Sequence, residues 1–225
     1  DKSIMAINDE KGWLYKIFTS GSMPIQKWKY ARGSDFEDLV LWDSTFYVLE
    51  SSGRIGRFSF IDKDSVHFDE AILSIPGKNE FEILYLDQKA NKLVMLCKDC
   101  EGDNKNSLSS FSYDPEKHEF QTKPYYVIDV RKIEALMKKK KVKFKPSAAA
   151  IHPLTGELFV ISSINKVIVV ADRSGNPKSL YKLNPALYKQ PEGLTFTPEG
   201  HLLISNESAD IGAANILLYK YHKTK

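Results

Sequence analysis

Lys145-Pro146-Ser147-Ala148-Ala149-Ala150-Ile151-His152-Pro153 and Gln190-Pro191-Glu192-Gly193-Leu194-Thr195-Phe196-Thr197-Pro198 start 45 residues apart and share both prolines and an alternating apolar pattern. Each passes a glycine, Gly156 or Gly200, into a strand-like stretch, Glu157-Leu158-Phe159-Val160-Ile161-Ser162 or His201-Leu202-Leu203-Ile204-Ser205-Asn206. A unit of roughly 40–50 residues built from short strands is the sequence mark of a propeller blade.

The unit extends towards the N-terminus. Asp35-Phe36-Glu37-Asp38-Leu39-Val40-Leu41-Trp42 opens one copy and Glu80-Phe81-Glu82-Ile83-Leu84-Tyr85-Leu86-Asp87 the next, with Glu37 and Glu82 again 45 residues apart. Glu82 and Ser147 are 65 apart, so this unit carries an insertion near 129–145. Within it, Val130, Ile133, Leu136 and Met137 have helical spacing behind Asp129 as N-cap, which predicts a short surface helix with a solvated tail at Lys138 to Lys141. Third strands are expected at Gly53–Phe60, Ser107–Tyr113, Lys166–Ala171 and Asn215–Tyr221, separated by turn signals such as Asp114-Pro115 and Ser174-Gly175-Asn176-Pro177. Residues from Ile4 to Ile17 read as the second and third strands of a further blade. The expectation is one all-β domain over residues 1–225, a β-propeller of five blades rather than six, with its first and last blades incomplete.

Composition sets bounds on the partners. The 225 residues are 42% hydrophobic and 27% charged, ordinary for a globular chain, and twelve Phe with eleven Tyr favour strands. A formal charge of +3 is too small to point to nucleic acid, and no apolar run approaches the roughly 20 residues of a membrane span. Cys97 and Cys100 form a Cys-x-x-Cys pair at a strand end, not at a helix start, and no second pair completes a zinc site. They read as an incidental pair, with their redox state open.

Alignment of the units sorts residues into columns. One, on the innermost strand, holds Glu37, Glu82, Ser147 and Glu192. A second, near the end of the second strand, holds Asp9 or Glu10, Glu50 or Ser51, Lys98, Ser162 or Ser163, and Asn206 or Glu207. Innermost strands line a central channel, so the glutamates converge there, where they must take up protons, recruit a cation or stay solvated. A hard cation such as Ca²⁺, which takes six to eight oxygen ligands, answers that repulsion. The candidate metal ligands are Glu37, Glu82 and Glu192, with Asp9, Glu10 and Glu207 from the second column. The same glutamates also read as clips between neighbouring blades.

Asp35-Phe36-Glu37-Asp38-Leu39, the Asn8-Asp9-Glu10-Lys11-Gly12 turn, His152-Pro153-Leu154-Thr155-Gly156-Glu157-Leu158 and Gln190-Pro191-Glu192-Gly193-Leu194-Thr195-Phe196 resemble the SdiA-regulated (YjiK-like) family, in order and spacing over nearly the whole chain. The resemblance implies a five-bladed propeller with a bound calcium ion. It also implies an extracytoplasmic location, in the periplasm or cell envelope, as a secreted protein or a lipoprotein anchored upstream of this chain. The family has no established activity.

No Gly-x-Ser-x-Gly elbow, His-Glu-x-x-His helix, P-loop, Rossmann fingerprint or EF-hand loop occurs. The five histidines are scattered, and His152 reads as a turn residue. Asp99 to Asn106 reads as a solvated hairpin connection. Two functions follow. The first is a monomeric binding module that presents one rim to an envelope partner, or to a small-molecule or glycan ligand. The second is a lactonase- or esterase-like hydrolase using the channel cation as Lewis acid, with Lys98 or Asp9 as base.

Overall fold

In the computed structural model, which describes residues 2–19, 23–61, 66–207 and 214–223, five antiparallel sheets follow one another along the chain as the blades of a five-bladed β-propeller. Blade 1 is β1 (Ser3–Ile7), β2 (Trp13–Phe18) and β3 (Gln26–Lys29). Blade 2 is β4 (Phe36–Trp42), β5 (Thr45–Glu50), β6 (Arg54–Phe60) and β7 (Val66–Ile72). Blade 3 is β8 (Asn79–Asp87), β9 (Lys92–Cys100) and β10 (Ser107–Asp114), with β11 (Glu119–Phe120) and β12 (Val127–Asp129) both on the outer side of β10. Blade 4 is β13 (Ala148–Ile151), β14 (Leu158–Ser162), β15 (Val167–Ala171) and β16 (Pro177–Lys182). Blade 5 is β17 (Pro191–Phe196), β18 (Leu202–Asn206) and β19 (Asn215–Tyr219).

Equivalent hydrogen bonds identify the strands of the terminal blades. Phe36 N–H donates to the Asp9 carbonyl in the turn after β1, and Phe81 N–H donates to the Ser51 carbonyl in the turn after β5. The strand β1 therefore stands where β5 stands, second in its blade. Among the described residues blade 1 has the second to fourth strands and blade 5 the first to third.

Every internal blade buries both faces, so its strands read as near-continuous apolar runs, and alternation decides which neighbour each side chain meets. On β9, Leu93, Met95 and Cys97 pack towards blade 2, while Val94 and Leu96 pack towards blade 4. On β15, Val167, Val169 and Ala171 join the core shared with blade 3, and Ile168 the core shared with blade 5. Four apolar clusters result, one per junction between consecutive blades.

The insertion holds α1 (Val130–Met137), which the Asp129 carboxylate caps by accepting from Arg131 N–H. Val130 and Ile133 enter the core between blades 3 and 4, and Lys138 to Lys141 are exposed, as the sequence pattern requires. The outer strands β3, β7, β11, β12 and β16 carry no clear apolar signal because they are half exposed. In blade 3 this strand is split. Residues 121–126 leave the sheet between β11 and β12, and Ser110 Oγ bridges the gap by donating to the Tyr126 carbonyl and accepting from Tyr126 N–H.

The junction of blades 3 and 4 is tight at one glycine. Gly175 lies in the β15–β16 turn with φ of 73°, and the ring of Tyr126 covers the place a Cβ would take. Gly175→Ala is expected to lower unfolding free energy by about 1–3 kcal/mol, from positive-φ strain and the displaced ring. A chemical-denaturation midpoint unchanged from wild type would contradict that packing.

Candidate functional site

The three glutamates of the first column share one local cause. In β4 the pairing with β5 skips from Phe36–Glu50 to Asp38–Leu49, leaving Glu37 as the extra residue of a bulge. In β8 the register skips Glu82 between Phe81 and Ile83, and in β17 it skips Glu192 between Pro191 and Gly193. A bulge bends its strand and re-aims one side chain out of the alternating pattern. Here it takes the same position of the innermost strand in blades 2, 3 and 5.

Their fields show where these side chains go. Burial first, then the charge of Glu82, then Asp35, push the Glu37 carboxyl up from its ordinary 4.5 to about 8, and Glu192 adds to the rise. Glu192 is exposed, yet partial desolvation, a side-chain hydrogen bond and repulsion with Glu207, and the charge of Glu82 push it up to about 7. Glu82 is also raised by burial, against the pull of Lys98. Blades 2 and 5 are not neighbours in the chain, nor are blades 3 and 5. Glutamates on such blades interact because the innermost strands face one axis.

Lysines temper this acidity. Lys98 Nζ bonds Glu80 at 2.7 Å and forms a close ion pair with Glu82. Burial works against the Lys98 charge, but the two carboxylates outweigh it and hold the ammonium above its ordinary range. Lys145 pairs with Asp99 at 2.9 Å and draws on Glu82. Lys166 is lowered by burial, opposed by Glu192. The centre is thus of mixed charge.

Ser147, the fourth member of the column, is a clip. Its Oγ donates to the Pro191 carbonyl of blade 5 at 2.8 Å and accepts from Ser163 N–H at 3.1 Å. Asp38, beside Glu37, is another. It accepts from Leu39 N–H and, across the blade boundary, from Leu84 N–H at 2.9 Å, while burial lifts its carboxyl to about 7 against those two bonds. The inter-blade clip expected of the glutamates is made instead by Ser147 and by Asp38, which the columns do not single out.

In the second column, Glu207 follows β18, is exposed, and reaches Glu192. Asp9 and Glu10 sit exposed in the β1–β2 turn, where Asp9 acts through its backbone carbonyl on Phe36. Among the described residues, only Cys97, Cys100 and Asp103 bring three candidate ligand atoms within 4.8 Å of one another. The glutamates share a field without closing to that spacing. The cysteines are joined in a disulfide with a Cα–Cα distance of 5.9 Å. In the hairpin after them, Asp103 accepts from Ser109 N–H and Oγ, the behaviour of a structured turn.

His152 is buried at the blade 4–5 junction against Phe159, Phe196 and Tyr221, and its Nδ1 accepts from Leu154 and Thr155 N–H. It is a turn and packing residue. On the face opposite the glutamates, a cavity of about 400 Å³ opens between blades 3 and 4 beside the Asp87–Arg173 ion pair. Asp87 and Arg173 are 86 residues apart, and no repeat signal links them.

No protein-family profile matches the chain, and no curated protein matches it in sequence. Solved structures match in shape. Glutaminyl cyclase from Myxococcus xanthus superposes with a TM-score of 0.56 at 12% identity, covering 92% of this chain and 82% of that one. A luciferin-regenerating enzyme gives 0.50 at 10%, covering 96% and 86%. A protein described as a putative 6-phosphogluconolactonase from Bacteroides uniformis gives 0.51 at 8%, covering 92% and 64%. At these identities the likeness shows the propeller fold alone. No described helix is long and apolar enough to cross a membrane.

Two outcomes are expected of the acid centre. A glutamate held uncharged in the fold keeps a proton that the unfolded chain loses near 4.5, so its stabilisation is complete below that pH and is lost as pH rises through its folded value of about 8 for Glu37 or about 7 for Glu192. Thermal melts of chelator-treated protein should therefore fall from about pH 5 to about pH 8, and Glu37→Gln with Glu192→Gln should flatten that fall. Separately, a double-mutant cycle of Lys98→Met and Glu82→Gln should return a coupling of about 0.5–3 kcal/mol in denaturant unfolding. A coupling near zero would separate the two side chains.

Proposed function

We propose that this chain is an extracytoplasmic binding module whose axial carboxylates take up a hard divalent cation, calcium foremost. The observation that carries the reading is the threefold bulge that aims Glu37, Glu82 and Glu192 into one field. Lys98 offsets part of the charge of the three acids in that field, and a divalent cation would supply the rest. The donors suit calcium in kind, since they are carboxylate oxygens. Their present spacing is wider than a closed cage, with Lys98 standing as counter-ion to Glu82, so a bound cation would compete with that ammonium. Calcium would supply charge neutralisation and rigidity at the axis, leaving the rim to engage an envelope partner, a glycan or a small molecule.

The Cys97–Cys100 disulfide supports an oxidising compartment, because such bonds persist outside the reducing cytosol. The resemblance to the SdiA-regulated (YjiK-like) family supports the same location and the same ion. The enzymes among the structural neighbours share about one residue in ten with this chain and lend no weight to a hydrolase.

Calcium titrated into chelated protein should raise its melting temperature, with a stabilisation of about 2.7 kcal/mol at a hundredfold excess over Kd. Glu82→Ala combined with Glu192→Ala should abolish the rise. An equal rise in that variant, or none in the wild type, would overturn the assignment.

A further inference from the structure

Lys98 is itself an extra residue. The β8–β9 pairing runs Asn79–Cys100, Glu80–Asp99, Phe81–Cys97 and Ile83–Leu96, so β9 bulges at Lys98 one step from where β8 bulges at Glu82. The two bulges compensate and place both side chains at the axis, which makes their ion pair. In a regular strand residues three apart point to opposite faces. Leu93, Met95 and Cys97 face blade 2, and Cys100 should face blade 4. Instead Cys100 lies in the same blade 2 cluster as Cys97. The extra residue between them inverts the alternation, and only then can the two sulfurs join.

We infer that the Cys97–Cys100 disulfide is the staple that holds the Lys98 bulge, so that the position of the axial ammonium depends on the redox state of this pair. Bulge and disulfide each require the other. If the bulge relaxes into regular pairing, Cys100 turns to the other face and the bond is impossible. If the bond is cut, the strand is free to regain regular pairing, which withdraws Lys98 from Glu80 and Glu82. The cutting step is exchange with a dithiol. Two electrons and two protons pass to the protein, Cys97 and Cys100 become thiols, and the reductant becomes a disulfide. Burial of both cysteines, at 0% and 7% exposure, shields the bond from attacking thiolates. Lys98 is a positioning residue here, and the inference does not rest on calcium.

Amine acetylation with acetic anhydride, read by mass spectrometry, tests it without added metal. Lys92 is an internal control. It lies on the same strand, outside the Cys-x-x-Cys stretch, pairs with Asp114 at 3.6 Å, and its side chain is 20% exposed against 22% for Lys98. Protein reduced with dithiothreitol, its thiols verified by alkylation, and the Cys97→Ala, Cys100→Ala double variant are compared with the oxidised chain. The Lys98 rate relative to Lys92 should rise about fivefold or more in both, the factor released by a lost pair of ordinary strength. An unchanged ratio with both thiols free would overturn the inference. Equal acceleration of Lys92 and Lys98 would also overturn it, since the disulfide would then support the whole blade and not the bulge.

Discussion

Glu37, Glu82 and Glu192 reach the axis because each is the extra residue of a β-bulge. The consequence is visible on either side of the bulge. Phe81 and Ile83 are two residues apart and by alternation should share a face, yet Phe81 packs towards blade 2 and Ile83 towards blade 4. The bulge lets the strand serve two apolar junctions and still send one carboxylate elsewhere. A substitution that removed it would invert every later contact of the strand, so the acid centre and the inter-blade cores are tied to one backbone feature.

The cost of gathering these carboxylates is electrostatic. Partial desolvation and mutual repulsion lift Glu37 and Glu192 into the neutral range, so the centre takes part of its neutrality from protons. Blade 4 lowers the load by offering Ser147, whose Oγ satisfies the Pro191 carbonyl and Ser163 N–H. Blade 3 lowers it further by bringing Lys98. The centre thus balances its carboxylates with protons and an ammonium together.

The repeat of 45 residues made five blades and their innermost strands legible, and the aligned glutamates proved to sit at equivalent backbone positions. Period-2 alternation and apolar runs carried that signal because the inner strands are buried on both faces. The outer strands β3, β7 and β16 lack it, being half exposed, and β11 with β12 leave no continuous pattern because residues 121–126 interrupt them. The disulfide was hidden for a sharper reason. Spacing of three residues in a strand argues against a bond, and only the bulge at Lys98, which no single residue announces, reverses the argument. Glu80–Lys98 depends on the bulged register within blade 3 and Asp87–Arg173 on the packing of blade 3 against blade 4, and a linear pattern encodes neither.

Chain entropy alone does not account for a disulfide at this place. In the loop-closure picture a bridge over so few residues removes only about 2 kcal/mol of unfolded-state freedom, against about 4.7 for a loop of a hundred residues. A bridge between the two ends of the repeat would stabilise the fold far more. This one instead spans the single stretch of β9 whose irregularity supplies the axial cation, in a blade already buried on both faces. What distinguishes it is the geometry it fixes, two residues deep between its sulfurs, where Lys98 turns to the glutamates and Asp99 turns out to Lys145.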